Sequence, residues 1–350
     1  CHSYAVPTSI RIMIPLHLDI EVTRGDVVES QHRVHAAVIV RDGAPVAGAR
    51  DPQLVSMWRS CAKFFQVMPF VASGGFDGVG WGPEELALSC ASHGGEPEHL
   101  SVVARMLASL GLEEGDLACG PHEPLSSRGT KLWRESGKPL TRLHNNCSGK
   151  HASMLARAKT SGWAIRGYEH VDHPVQRACL GEVSAWTGVP LDDMPVGLDG
   201  CGVTVMALSL ERMALAYARL ATAIHEGDAI ASRIAAAVRA HPHLLGGTER
   251  FDTVLLEETK GEVIAKVGAE GVHSVAVPGR GLGLALKVED GALRAQQAAV
   301  LAALQQLDIL PTELPARLAE FAHRPIRNTR GEVVGEIRPV RVASSGSHAR

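Results

Sequence analysis

The chain has 350 residues, 45% of them hydrophobic, 21% charged and 4% aromatic, with a net charge of −3. That length suffices for two ordinary domains or one large composite domain with a sizeable core. The near-neutral charge, the lack of a basic run and the scarcity of aromatics exclude nucleic acid and an anionic membrane surface as partners.

The chain opens on Cys1, and Met13 is the natural alternative beginning. A lipidated cysteine is disfavoured, because the following HSYAVPTSIRIMIPLHLDI offers no polar, flexible spacer. The segment 33–49 then reads as a hairpin broken at Asp42-Gly43. A helix is expected over 60–68, stopping at Pro69, and another from near Pro97 to Gly111. Ser148 is expected to N-cap a helix carrying Met154, Leu155 and Ala158 on its apolar side. Further helices follow Pro174 and occupy 209–225 and 228–240. From 262 onward EVIAKVG, GVHSVAVPG and GLGLALKVEDG form three strands with Gly-rich turns, and 293–307 is a long amphipathic helix. PGRGLG joins two strands and opens no helix, so it is a tight turn and not a phosphate loop. The order implies an α/β (α+β type) fold: an antiparallel sheet built from both chain ends, with helices packed on it and a helical insert.

No apolar stretch approaches the roughly eighteen residues of a membrane span. Seven cysteines, at 1, 61, 90, 119, 147, 179 and 201, are odd in number and irregularly spaced, which points to reduced thiols in a cytoplasmic protein. Cys61, Cys90, Cys119 and Cys179 are expected to be small core residues, and His170, His173, His241 and His243 to lie in surface loops.

Two constellations carry chemistry. In RSCAK, Ser60 and Lys63 stand one helical turn apart. A serine attacks only when a base takes its proton, and a lysine serves only where burial or another cation depresses its pKa from about 10.4. Lys266 in KVG, on a late strand, and Ser92 in CASHGG complete a pattern that resembles serine β-lactamases and penicillin-binding proteins. Lys287 is an alternative to Lys266, and Val267 replaces the usual Thr, which argues against antibiotic chemistry. In HNNCSGKHA and GLDGCG, Cys147, Lys150 and Cys201 suit zinc, with His144, His151 or Asp199 as more ordinary ligands than a lysine; two buried structural cysteines are the competing reading.

RSCAKFFQVMP, LSCASHGGEPEH, HNNCSGKHASML, GLDGCG, KVGAEGV and PGRGLGLALKVEDG, in this order, resemble the rhizobial-type (thermolabile, class 3) L-asparaginases over about residues 22 to 310. That family is similar in fold to serine β-lactamases and glutaminases. The resemblance implies Ser60–Lys63 and Ser92–Lys266 as catalytic tandems, with zinc on Cys147, Lys150 and Cys201. It also implies that Asp199 binds the α-ammonium of L-asparagine and that the protein is a homodimer. Arg59 is a candidate for the substrate carboxylate, with a structural ion pair as the equal alternative, and His151 is a further substrate-binding candidate. Residues 1–20 are then an N-terminal extension, 21–328 one composite catalytic domain and 329–350 a C-terminal tail. The rivals are another Ser-x-x-Lys hydrolase (glutaminase, peptidase or esterase) and a non-catalytic amino-acid-binding protein on the same scaffold.

Overall fold

The computed structural model describes residues 13–340; Cys1 and the reading attached to it lie outside the described residues. The central sheet has six strands in the spatial order Ile14–Pro15, Pro45–Ala49, Val34–Val40, Leu282–Val288, Val272–Val277, Ile264–Val267. It is thus built from both chain ends, as the strand pattern implies. Its neighbours pair antiparallel, except that Ile14–Pro15 runs parallel to Pro45–Ala49. A four-stranded sheet (Arg324–Arg327, Val333–Pro339, Ile20–Arg24, Val27–His32) and a three-stranded one (Val55–Met57, Thr204–Ser209, Val196–Leu198) flank it.

The central strands are apolar on both faces because each face is covered. Ala37 and Ile39 point into one core with Ala214 and Tyr217 of the Leu210–Glu226 helix. Ala36 and Val38, one residue out of phase, point into a second core with Val300 and Leu301 of the Leu293–Gln306 helix. Gly283 sets how closely the first helix lies on the sheet: a Cβ there would come within 2.1 Å of Ala214 O. No helix among the described residues is long and apolar enough to cross a membrane.

Three local expectations need correction. The first helix is a 3-10 turn at Arg59–Ala62 followed by Lys63–Ala72, with Pro69 inside it and not at its end. Burial of Phe64, Phe65 and Phe70 outweighs the one backbone bond that proline removes. At the HNNCSGKHA helix, Ser148–Thr160, the N-cap is Cys147 and Ser148 is the first helical residue. Its hydroxyl donates to Leu143 O at 3.0 Å, and the Asn145 side chain accepts from Cys147 N at 2.9 Å. Finally, residues 329–340 are not simply a tail, since Val333–Pro339 pairs with Ile20–Arg24 and buries Ile337.

Candidate active site

Ser60 sits in the turn Arg59–Ala62, and the preceding residue, Arg59, has φ +53°, a left-handed conformation costly for any residue with a Cβ. The turn is fastened from below. Tyr217 Oη donates to Cys61 O at 2.7 Å, Cys61 Sγ donates to Lys266 O at 3.0 Å, and Trp58 Nε1 donates to Ser274 Oγ at 3.1 Å. The first bond ties the turn to the Leu210–Glu226 helix, and the other two seat it on the strands Ile264–Val267 and Val272–Val277. Ser60 is half-buried, and its hydroxyl has no hydrogen bond among the described residues.

Lys63, one turn further along, and Lys266 are both essentially inaccessible. Their amines converge on one atom: Lys63 Nζ donates to Ser92 Oγ at 3.1 Å and Lys266 Nζ donates to it at 2.7 Å. Lys63 also donates to Ala91 O, and Lys266 to Val267 O at 2.9 Å. Burial and the neighbouring Lys63 charge pull Lys266 down to about 8. Lys287, the alternative, is only half-buried and donates to Val288 O and Glu289 O. Ser92 lies in an extended, wholly buried segment held by Ser92 N→Leu245 O at 3.1 Å and His93 N→Asn146 O at 3.2 Å. The second of these bonds, with His93 Nε2 meeting Ser148 Oγ at 2.9 Å, joins the CASHGG and HNNCSGKH motifs. Gly149 permits the joint, because a Cβ there would come within 2.4 Å of Leu88 O.

Cys147, Lys150 and Cys201 also meet. Lys150 Nζ lies 3.2 Å from Cys201 Sγ, and the Cys147 thiol is hydrogen-bonded to Cys201. That bond, with the Lys150 charge, holds Cys201 toward the thiolate, while the same bond and burial hold Cys147 as a thiol. Burial opposes the charge on Lys150, but Cys201, Cys147 and Asp199 outweigh it and raise its proton affinity. Asp199 Oδ2 lies 3.6 Å from Cys201 Sγ, and Asp199 Oδ1 accepts from Arg59 Nε at 2.8 Å. Burial pushes the Asp199 carboxyl up, and Lys150 and Arg59 more than compensate, so it stays ionised. His151 is fully buried, bonded through Nδ1 to Tyr168 Oη, with Nε2 unpartnered; burial lowers it to about 3, leaving a neutral ring.

Among the described residues, one trio of His, Cys, Asp or Glu donors lies within 4.8 Å: Glu96, His99 and His243. Two of its members are already engaged elsewhere. His99 Nδ1 accepts from Glu96 N at 3.1 Å and Nε2 donates to His243 O at 2.9 Å. The Glu96 carboxylate accepts from Thr248 and Arg128. The trio is a fastening, and His243 belongs to it, stacked on His99 with ring centroids 5.1 Å apart. His173 is likewise no loop bystander: it N-caps the Pro174–Thr187 helix. Cys61, Cys90, Cys119 and Cys179 are buried free thiols, in keeping with core residues.

Sequence reasoning missed Asp252 and His273, a buried pair 3.1 Å apart behind Lys266. In FDTVLLEE an acid in the first turn of a helix reads as an ordinary complement to the helix dipole, and nothing local reveals its partner.

A family model described as L-asparaginase II matches residues 20–339. No curated protein matches the chain. Among solved structures, Mglu is 14% identical with a TM-score of 0.36, covering 80% of this chain and 69% of its own. Mglu in its native form is 16% identical, TM-score 0.36, over 85% and 70%. The octameric penicillin-binding protein homologue from Pyrococcus abyssi is 12% identical, TM-score 0.38, over 78% and 73%.

Proposed function

The chain belongs to the L-asparaginase II family, and from that premise of amide hydrolysis we propose that it converts L-asparagine to L-aspartate and ammonia with Ser60 as nucleophile. The observation that carries the mechanism is the convergence of two buried amines on Ser92 Oγ at 3.1 and 2.7 Å. Proton transfer along Lys63–Ser92–Lys266 moves a proton vacancy from Lys266, whose proton affinity is lowered to about 8, to Lys63. Lys63 then takes the Ser60 proton as Oγ bonds to the carboxamide carbon. That proton leaves on the departing ammonia. Water then attacks the acyl-enzyme, giving a proton to Lys63, which passes it to Ser60 Oγ as the bond from Oγ to the acyl carbon breaks and aspartate is released. Backbone N–H groups at the start of the Arg59–Ala62 turn are assigned to the oxyanion.

An α-amino acid presents an ammonium and a carboxylate together. The Asp199–Arg59 ion pair offers the complementary charges, Asp199 to the first and Arg59 to the second. His151 can reach the substrate only through Nε2, its unpartnered nitrogen.

Zinc on Cys147, Lys150 and Cys201 is part of this reading. The donors converge already, one sulfur is held toward thiolate, and binding would release the Lys150 proton. When bound, the ion would supply a fixed positive charge for orienting substrate.

The test is ammonia release from L-asparagine and from L-glutamine by the wild type and Ser60→Ala. Release from asparagine that vanishes in the variant is expected. Turnover retained by Ser60→Ala removes the nucleophile assignment, and a wild type inert toward both amides removes the activity.

A further inference from the structure

Lys266 stands on an edge strand, and something must hold its amine on Ser92 from behind. Three fastenings reach that strand and its turn. Cys61 Sγ donates to Lys266 O, Gln296 donates to Gly268 O at 3.1 Å, and Asp252 Oδ2 accepts from Val267 N at 2.8 Å. The last is unlike the others, because it brings a carboxylate into the site. Asp252 and His273 are 5% and 0% exposed, so this charge is shielded from solvent and acts through a low-dielectric interior. The other oxygen, Oδ1, faces His273 Nε2 at 3.1 Å, and His273 pairs across the sheet with Val267. Asp252 is therefore bonded through one oxygen to the backbone of the lysine strand itself, while the other faces a buried ring on the neighbouring strand without hydrogen-bond geometry.

We propose that Asp252, braced by His273, is a positioning residue for Lys266: it locks the lysine strand through the Val267 amide and sets the amine's charge balance from behind. The inference rests on the Ser–Lys reading above and deepens it. The groups facing the amine are Lys63 from the first helix, Cys61 and Cys90, Arg250 before the Phe251–Glu258 helix, and Asp252. Of these, Lys63 and Arg250 favour the neutral amine, whereas Asp252 favours the ammonium. Burial pushes the Asp252 carboxyl up, but His273 and Lys266 outweigh it and hold it at about 2, so its charge persists at every working pH. His273 moderates that charge. Each partner then moves the Lys266 proton affinity in a known direction.

The experiment is the pH dependence of kcat for ammonia release in four proteins: wild type, Asp252→Asn, His273→Gln and Lys266→Ala. Asparagine keeps an acceptor for Val267 N and removes the charge, so the acid limb should move down by about one pH unit. His273→Gln leaves the carboxylate unmoderated, and its limb should move up. A role confined to packing would lower kcat evenly and leave both limbs in place; that outcome overturns the proposal. Should Asp252→Asn fail to fold, the sign of the His273→Gln shift decides alone. A wild-type limb that survives in Lys266→Ala belongs to another group and brings down the Ser–Lys reading itself. A limb that Lys266→Ala abolishes, yet neither partner moves, brings down only the present inference.

Discussion

Two serines in one site should fail in different ways when each is changed to alanine. Ser92 Oγ is the shared acceptor of two inaccessible amines, at 3.1 and 2.7 Å. Ser92→Ala leaves each amine one hydrogen bond short, with Ala91 O and Val267 O as the acceptors that remain. A buried polar group stranded in this way costs about 1–3 kcal/mol. Two of them cost about 2–6 kcal/mol together, which at about 2 °C per kcal/mol for a chain of this size lowers Tm by about 4–12 °C. Ser60 Oγ makes no hydrogen bond among the described residues, so Ser60→Ala should stay within about 0.5 kcal/mol of wild type. Activity runs the other way. Ser60→Ala should abolish ammonia release, whereas Ser92→Ala should reduce kcat by about 10²–10⁴ through loss of proton transfer. Differential scanning calorimetry and a coupled ammonia assay on the same preparations read both axes. A Ser60→Ala protein several degrees less stable, or a Ser92→Ala protein unchanged in both, would refute the reasoning.

Three further outcomes follow from the same geometry. Lys266→Met should keep only residual activity but be more stable than wild type at pH 7. A proton affinity lowered from 10.5 to about 8 corresponds to about 3 kcal/mol at 1.36 kcal/mol per pH unit, offset in part by two lost hydrogen bonds. The sign is fixed. As pH falls from 10.5 to 8 the unfolded chain takes up a proton before the folded one does, so wild-type stability falls over that window. The advantage of the variant should therefore shrink above pH 8 in denaturant melts, and an advantage that grows there is inconsistent with the buried amine. Cys147→Ala should lose bound zinc, read by elemental analysis after dialysis, and weaken substrate affinity more than stability; unchanged metal content shows the ligands to be elsewhere. Gly149→Ala should cost about 1–3 kcal/mol in denaturant melts, because its Cβ would press on Leu88 O and open the joint between two motifs. Wild-type stability in that variant would show the close approach to be relaxed in solution.

What the sequence disclosed was local. Strand Val272–Val277 and helix Leu210–Glu226 are legible because their alternation and periodicity repeat over many residues. Ser60, Lys63, Ser92, Lys266, Cys147, Lys150 and Cys201 are legible because each stands in a short motif of chemically matched residues. The choice between Lys266 and Lys287 was not, since both lie on strands of similar composition and only the sheet register turns one inward. Asp252 was hidden for a different reason. Its partners, His273 and Val267 N, stand 21 and 15 residues downstream, and no pattern within its own helix records them. The left-handed backbone of Arg59 is likewise a product of bonds made by Tyr217, Ser274 and Lys266, all distant in the chain. Val333–Pro339 was passed over because Gly and Pro break its alternation and its partner is at the other end of the chain.

The interior strand Val34–Val40 finds its second neighbour, Leu282–Val288, only after some 240 further residues have been made. At ribosomal speeds of about 5–20 residues per second, Ala36, Val38 and Ile39 wait roughly ten seconds or more for cover. For that interval the nascent chain presents an uncapped apolar hairpin beside a growing bundle of helices. Productive synthesis of this protein is accordingly a race between emergence of the Leu282–Val288 strand and self-association of the hairpin formed by Val34–Val40 and Pro45–Ala49, and slower translation or crowded polysomes weigh against it.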